Sequence, residues 1–183
     1  MLVEGRFPIT AAPDELIRHL FDVRLMASCL PGCESLEALA DDRYRAVVAV
    51  GLAGITARFD LQVEVTRRDE RNVWTLTRGE EGSHASALRA ETQVTLVPEG
   101  AVTQVEYRSE VSLTGRLGRF GLGVMKKKAQ AMGDEFAAKL RTELERRHAG
   151  APAAAAPAPL PLPWWQRWWR ALLGLFGGRR TAA

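Results

Sequence analysis

Between Ile55 and Val65 the chain alternates without a miss: Ile55, Ala57, Phe59, Leu61, Val63 and Val65 take one side, and Thr56, Arg58, Asp60, Gln62 and Glu64 the other. Successive side chains of a strand point to opposite faces, so this pattern demands a sheet with one buried and one wet face. The same period returns in Val105, Tyr107, Ser109, Val111 and Leu113 against Gln104, Glu106, Arg108, Glu110 and Ser112. Pro98-Glu99-Gly100 ahead of it reads as a hairpin turn, as do Gly51 to Gly54 and Asp69 to Asn72. These turns divide the middle of the chain into strands near 34–39, 43–51, 55–67, 72–79, 84–97 and 102–114, and residues 2–9 supply a first strand, making seven.

Pro13-Asp14-Glu15 opens a helix through about Phe21, its acids favoured by the helix dipole, and a short second helix reaches about Ala27 before a Pro31-Gly32 turn. A helical pattern then follows the last strand, from about Gly118 to Arg147. Leu117, Phe120, Val124, Met125, Met132, Phe136, Leu140 and Leu144 recur at helical spacing along it, so one stripe must cover the buried face of the sheet. One strand, two short helices, six antiparallel strands and one long final helix define an α+β chain of the helix-grip kind. In that fold a curved sheet wraps the last helix and leaves a cavity between them. The inward row Ser86, Leu88, Ala90, Thr92, Val94 and Leu96 is rich in small side chains, which suits a void or a close helix approach equally. The inward rows and the helix stripe nominate Phe59, Leu61, Trp74, Leu88, Val94, Tyr107, Leu117, Phe120, Val124 and Met125 as cavity-lining residues, the alternative being that they form a filled core.

Three segments carry a resemblance: Met26-Ala27-Ser28-Cys29-Leu30-Pro31-Gly32-Cys33-Glu34, the hairpin from Gly51 to Val65, and Gly115-Arg116-Leu117-Gly118-Arg119-Phe120-Gly121 ahead of the long helix. Over about residues 1 to 147 the chain resembles the carbon monoxide dehydrogenase G-subunit family, within the START-like helix-grip superfamily. The resemblance implies an accessory protein that brings a molybdenum hydroxylase of the carbon monoxide dehydrogenase type to the cytoplasmic membrane. It also implies a hydrophobic ligand in the cavity, a respiratory quinone such as menaquinone or ubiquinone. It offers no catalytic residue. A purely structural anchor without ligand is the alternative. An enzyme would have to work with Ser86, Thr92, Tyr107 and Ser109, which no histidine or carboxylate clearly accompanies and no nucleophile elbow or phosphate loop supports.

Composition breaks at residue 149. The remainder holds four arginines and no other charged residue, so residues 1–148 sum to −1 although the whole chain carries +3. The basic pI of about 9.2 thus belongs to the tail and gives no support to nucleic-acid binding by the body. Residues 149–163 contain only Ala, Pro, Leu and one Gly, an extended flexible tether that at ~3 Å per residue reaches ~45 Å. In 164–176 the residues Trp164, Trp165, Trp168, Trp169, Leu172, Leu173, Leu175 and Phe176 fill one half-circle of a helical wheel, and Gln166, Arg167, Arg170 and Gly174 the other. A helix of ~20 Å is too short to cross a ~30 Å hydrocarbon layer but suits its interface, with tryptophan at headgroup level and arginine on anionic lipid, the alternative being that it docks on the body or in a partner groove. Residues 177–183 form a short basic end. With no secretory signal in MLVEGRFPI, the expected place is the inner face of the cell membrane, peripherally bound. Cys29 and Cys33 flank the Pro-Gly turn as two reduced thiols, and with single scattered histidines (His19, His84, His148) no metal site is expected.

Overall fold

The computed structural model describes residues 1–52, 54–82 and 85–149. The expectations placed on the remainder of the 149–163 spacer, on the amphipathic helix 164–176 and on the basic end 177–183 lie outside the described residues.

The chain runs β1 (Leu2–Ile9), α1 (Pro13–Leu20), α2 (Val23–Cys29), β2 (Cys33–Ala40), β3 (Arg43–Leu52), β4 (Ile55–Arg68), β5 (Asn72–Glu81), β6 (Ser86–Glu99), β7 (Val102–Gly115), a single 3-10 turn (Leu117–Phe120) and α3 (Leu122–His148). The strands form one seven-stranded antiparallel sheet in the order β1-β7-β6-β5-β4-β3-β2. The six consecutive strands β2 to β7 are a meander, as their turn residues require. Between β4 and β5, the Asp69 carboxylate accepts from the backbone amides of Arg71 and Asn72 at 2.9 and 2.8 Å, which closes the turn locally. β1 pairs with β7, so β1 and β2 lie at opposite edges and α1 and α2 carry the chain from one to the other. Strands of 14 residues, as β4, β6 and β7 are, accumulate enough twist to curl the sheet around what it covers.

The long helix begins later than its stripe suggests. Leu117 to Phe120 form the 3-10 turn, and Gly121 with φ of 81° stands in the left-handed region that ends it, so α3 starts at Leu122. Its C-terminal half is packed: Ala137, Leu140 and Leu144 are buried with Phe7, Ile9, Leu16, Leu25, Leu96 and Val105. A second cluster of Leu52, Ala57, Phe59 and Leu117 fills the far end of the sheet. The first half of α3 passes between these clusters without a buried residue of its own.

A line of charge fastens the end of α3 to α1 and α2. Asp22 caps α2 by accepting from the amides of Arg24 (3.0 Å) and Leu25 (3.1 Å), and its other oxygen accepts from Arg147 at 2.9 Å. Glu15 meets the ring nitrogen of His148 at 2.8 Å. Burial pushes the Asp22 carboxyl up, but Arg147 and the two amides outweigh it and hold the group below its ordinary value; the His148 hydrogen bond does the same for Glu15. Carboxyls depressed on folding stabilise the native state above their unfolded pKa and lose that contribution as pH falls through the folded one. Acidification below the ordinary carboxylate range is therefore expected to lower the denaturation midpoint. Asp22→Ala should cost about 1 kcal/mol at neutral pH and flatten the acid limb, as read by urea unfolding across a pH series.

Candidate functional site

The buried face of the sheet is lined by alternate residues, and several of them are small. Ala46, Ala57 and Ala90 are buried there. Gly79 on β5 sits beneath Leu61, whose Cδ2 lies 2.2 Å from where a Cβ would be. Facing them, α3 presents Ala129 and Gly133. Small residues on both sides, with a helix held at its far end by the packed cluster, leave space that side chains do not fill.

That space has two chambers. One of about 270 Å³ is bordered by Val48, Val50, Leu52, Phe59, Leu61, Leu88, Ala90, Val111 and Leu113 of the sheet, by Met1 and Leu117, and by Met125, Lys128, Ala129 and Met132 of α3. The other, of about 380 Å³, is bordered by Phe7, Val94, Val105, Tyr107 and Thr92, by Leu20, Met26, Leu30 and Pro31, and by Gly133 and Phe136. Val48, Leu61 and Met132 belong to both, so the chambers adjoin. Their size is that of ordinary small-molecule sites, and Lys128 is the one ionisable side chain other than the Tyr107 phenol on their described walls. The outer face of the sheet also holds hollows, one of about 430 Å³ among Glu4, Arg6, Gln93, Glu106 and Arg108, but these are open and bounded by charged side chains.

Of the residues nominated from the sequence, Phe59, Leu61, Leu88, Leu117 and Met125 border the first chamber and Leu61, Val94 and Tyr107 the second. Three stand elsewhere. Phe120 packs on the cluster around Phe59 and borders neither chamber. Val124 is 48% exposed on the first turn of α3, because the helix starts only at Leu122 and this position looks past the sheet. Trp74 faces the other side of the sheet. The register pairs Val73 with the inward Val94 and Trp74 with the outward Gln93, and the Arg67 guanidinium lies 4.6 Å above the indole. The walls also include residues that no sequence pattern marks: Met26, Leu30 and Pro31, which reach the second chamber from the α2 corner, and Val48 and Val50 of β3. The β3 row is hidden in the sequence because Val47 and Ala49 make the opposite face apolar as well.

Four hydroxyls on the inner face are hydrogen-bonded to one another or to amides. Thr92 and Ser109 share a hydrogen bond of 2.7 Å, Ser86 accepts from the Leu117 amide at 3.1 Å, and the Tyr107 phenol accepts from Gln130 at 3.3 Å. Burial pushes the Tyr107 phenol up, keeping it neutral. None of the four bonds a histidine or carboxylate among the described residues. Such a surface suits apolar matter, and no activated nucleophile stands on it among the described residues. Cys29 and Cys33 are free, and burial raises both thiols. Among the described residues no three potential ligands gather to hold a metal ion, and no helix is long and apolar enough to cross a membrane.

Tyr107 occupies a slot cut by two glycines. A Cβ placed on Gly5 of β1 or on Gly133 of α3 would fall 2.6 Å from its oxygen. In a helix interior Gly→Ala normally stabilises by about 1 kcal/mol. Here Gly133→Ala is expected to destabilise by about 1–2 kcal/mol through overpacking. In a Tyr107→Phe background, which removes the colliding atom, the same change should stabilise. Urea midpoints of the four proteins read this reversal of sign.

The layered order of elements and the gap beneath the long helix define a START-like helix-grip protein. Solved structures agree on the fold. A conserved protein from Geobacillus kaustophilus is 24% identical with a TM-score of 0.73, covering 80% of this chain and 96% of its own. A START superfamily protein from Mycobacterium smegmatis is 17% identical with a TM-score of 0.62, covering 80% and 98%. The Zhui aromatase/cyclase from Streptomyces sp. R1128 is 17% identical with a TM-score of 0.61, covering 83% and 99%. No curated protein matches the sequence. The model of the family of carbon monoxide dehydrogenase G-subunits (CoxG) matches residues 5–145, and the chain belongs to that family. The family's name ties its members to carbon monoxide dehydrogenase.

Proposed function

We propose that this chain is an accessory protein that holds a hydrophobic ligand, a respiratory quinone, between sheet and α3, and brings a molybdenum hydroxylase of the carbon monoxide dehydrogenase type to the cytoplasmic membrane. The observation that carries the ligand is the pair of adjoining apolar chambers. A flat, mostly apolar ring with a hydrocarbon tail gains about 25 cal/mol for each Å² it withdraws from water there. The membrane half of the reading rests on the tryptophan-arginine segment 164–176 and on the family to which the chain belongs.

Lipids extracted from protein purified out of native cells should contain a quinone in near-stoichiometric amount, unchanged in structure. Recovery of none, with no uptake of added quinone, would leave the purely structural anchor. Full-length chain should float with anionic liposomes, and chain ending at Gly150 should float much less. Equal flotation of the two would contradict the assignment of membrane binding to the tail.

A further inference from the structure

The apolar stripe of α3 does not stop where the sheet stops covering it. Met125 borders the first chamber, and Leu122, one turn earlier on the same face, is 74% exposed, while Val124, on the other side of the same first turn, is 48% exposed. These are two of the three large hydrophobic residues most exposed among the described residues, the third being Leu39 on the edge strand β2. From Val111 through Gly133 the sequence has no acidic residue and five basic ones: Arg116, Arg119, Lys126, Lys127 and Lys128. Arg116 is paired with Glu81, and the other four make no ion pair among the described residues. Lys128 stands on the wall of the first chamber itself. Exposed aliphatic side chains ringed by unpaired cations, at the end of an apolar cavity, complement an anionic bilayer surface: the side chains enter the headgroup layer while the cations meet phosphate. An acidic protein surface would use the cations but leave Leu122 and Val124 without a reason.

We infer that the 3-10 turn and the first turn of α3 form a second membrane contact, carried by the folded body, which sets the opening of the first chamber on the anionic leaflet. The contact rests on the proposed apolar ligand and membrane association and is separate from the tail. The tail gives attachment; the body's patch gives orientation, and a ligand then passes between bilayer and chamber without crossing water.

The test uses the full chain in a Cys33→Ser background, with Leu122→Cys or Leu39→Cys carrying a polarity-sensitive dye; Cys29 is buried and stays unlabelled. Vesicles are phosphatidylcholine with or without phosphatidylglycerol, some containing a nitroxide-bearing lipid. The dye at 122 should shift to the blue and be quenched by the nitroxide on phosphatidylglycerol vesicles, while the dye at 39 stays wet. Arg119→Gln, Lys126→Gln and Lys127→Gln should each weaken that contact about fivefold, with flotation through the tail retained. Flotation with position 122 still wet would overturn this inference alone. Position 122 turning dry only against added dehydrogenase, and never against vesicles, would overturn it in favour of a protein partner. A full chain that does not float at all would overturn both this contact and the membrane reading of the tail.

Discussion

Ala90→Phe is expected to lower the affinity for an apolar ligand by more than tenfold while leaving the protein as stable as before or slightly more so. Ala90 is buried on β6, borders the first chamber and faces α3 across it. In a filled core the extra ring would force neighbours off their rotamers at a cost of about 1–3 kcal/mol. In an empty chamber the ring finds space, buries itself at a gain of about 1.5–3 kcal/mol, and takes the volume a ligand needs. The sign of the stability change thus distinguishes a void from a core, and the binding change shows whether the void has a use. Urea unfolding and a titration with a short-chain quinone read the two. A stable variant with unchanged binding would place the ligand outside the first chamber, and a strongly destabilised one would mean the chamber is closed in solution.

Gly32→Ala should be among the most damaging single methyls in the body, with a cost of about 2–4 kcal/mol. Gly32 has φ of +71°, where an L side chain is strained, and its missing Cβ would lie 2.1 Å from the carbonyl oxygen of Ala49. The close approach has a purpose: the Ala49 amide donates to the Gly32 carbonyl at 2.8 Å, which stitches the corner after α2 onto β3. Leu30 and Pro31, just before it, wall the second chamber. The substitution should therefore lower the melting temperature by about 5–15 °C and weaken ligand binding with it. Gly54→Ala serves as the control: its φ is also positive, at 79°, but nothing stands within 4 Å of its missing Cβ, so only the conformational strain of about 1 kcal/mol remains.

The strands and their order are legible because long half-buried strands write their period openly. The inward row of β6 is the row that alternation marks, and every strand lies within three residues of its expected bounds. Legibility fails where a local rule is overridden by something at a distance. The stripe from Leu117 onward looks like one helix, but the left-handed Gly121 divides it, so Phe120 and Val124 leave the cavity wall. Trp74 is read from the sequence as part of an inward strand row, yet the register after the Asp69 to Asn72 turn sends it outward, where the Arg67 guanidinium lies over it. The α2 corner gives no sign of lining a cavity, since its position depends on the crossing from one sheet edge to the other, which no local pattern encodes. The cavity itself is only half legible: small inward residues signal that space exists, and only the standing of α3 against the packed far cluster shows that it stays open.

The gap between sheet and α3 is proposed to take up an apolar molecule. Calorimetric titration of the full chain with decylubiquinone, repeated at several temperatures, addresses it most directly. Saturation is expected at one ligand per chain with a negative heat-capacity change, the mark of apolar surface leaving water, and a much weaker signal in Ala90→Phe. Absence of saturable binding in the native chain would overturn it.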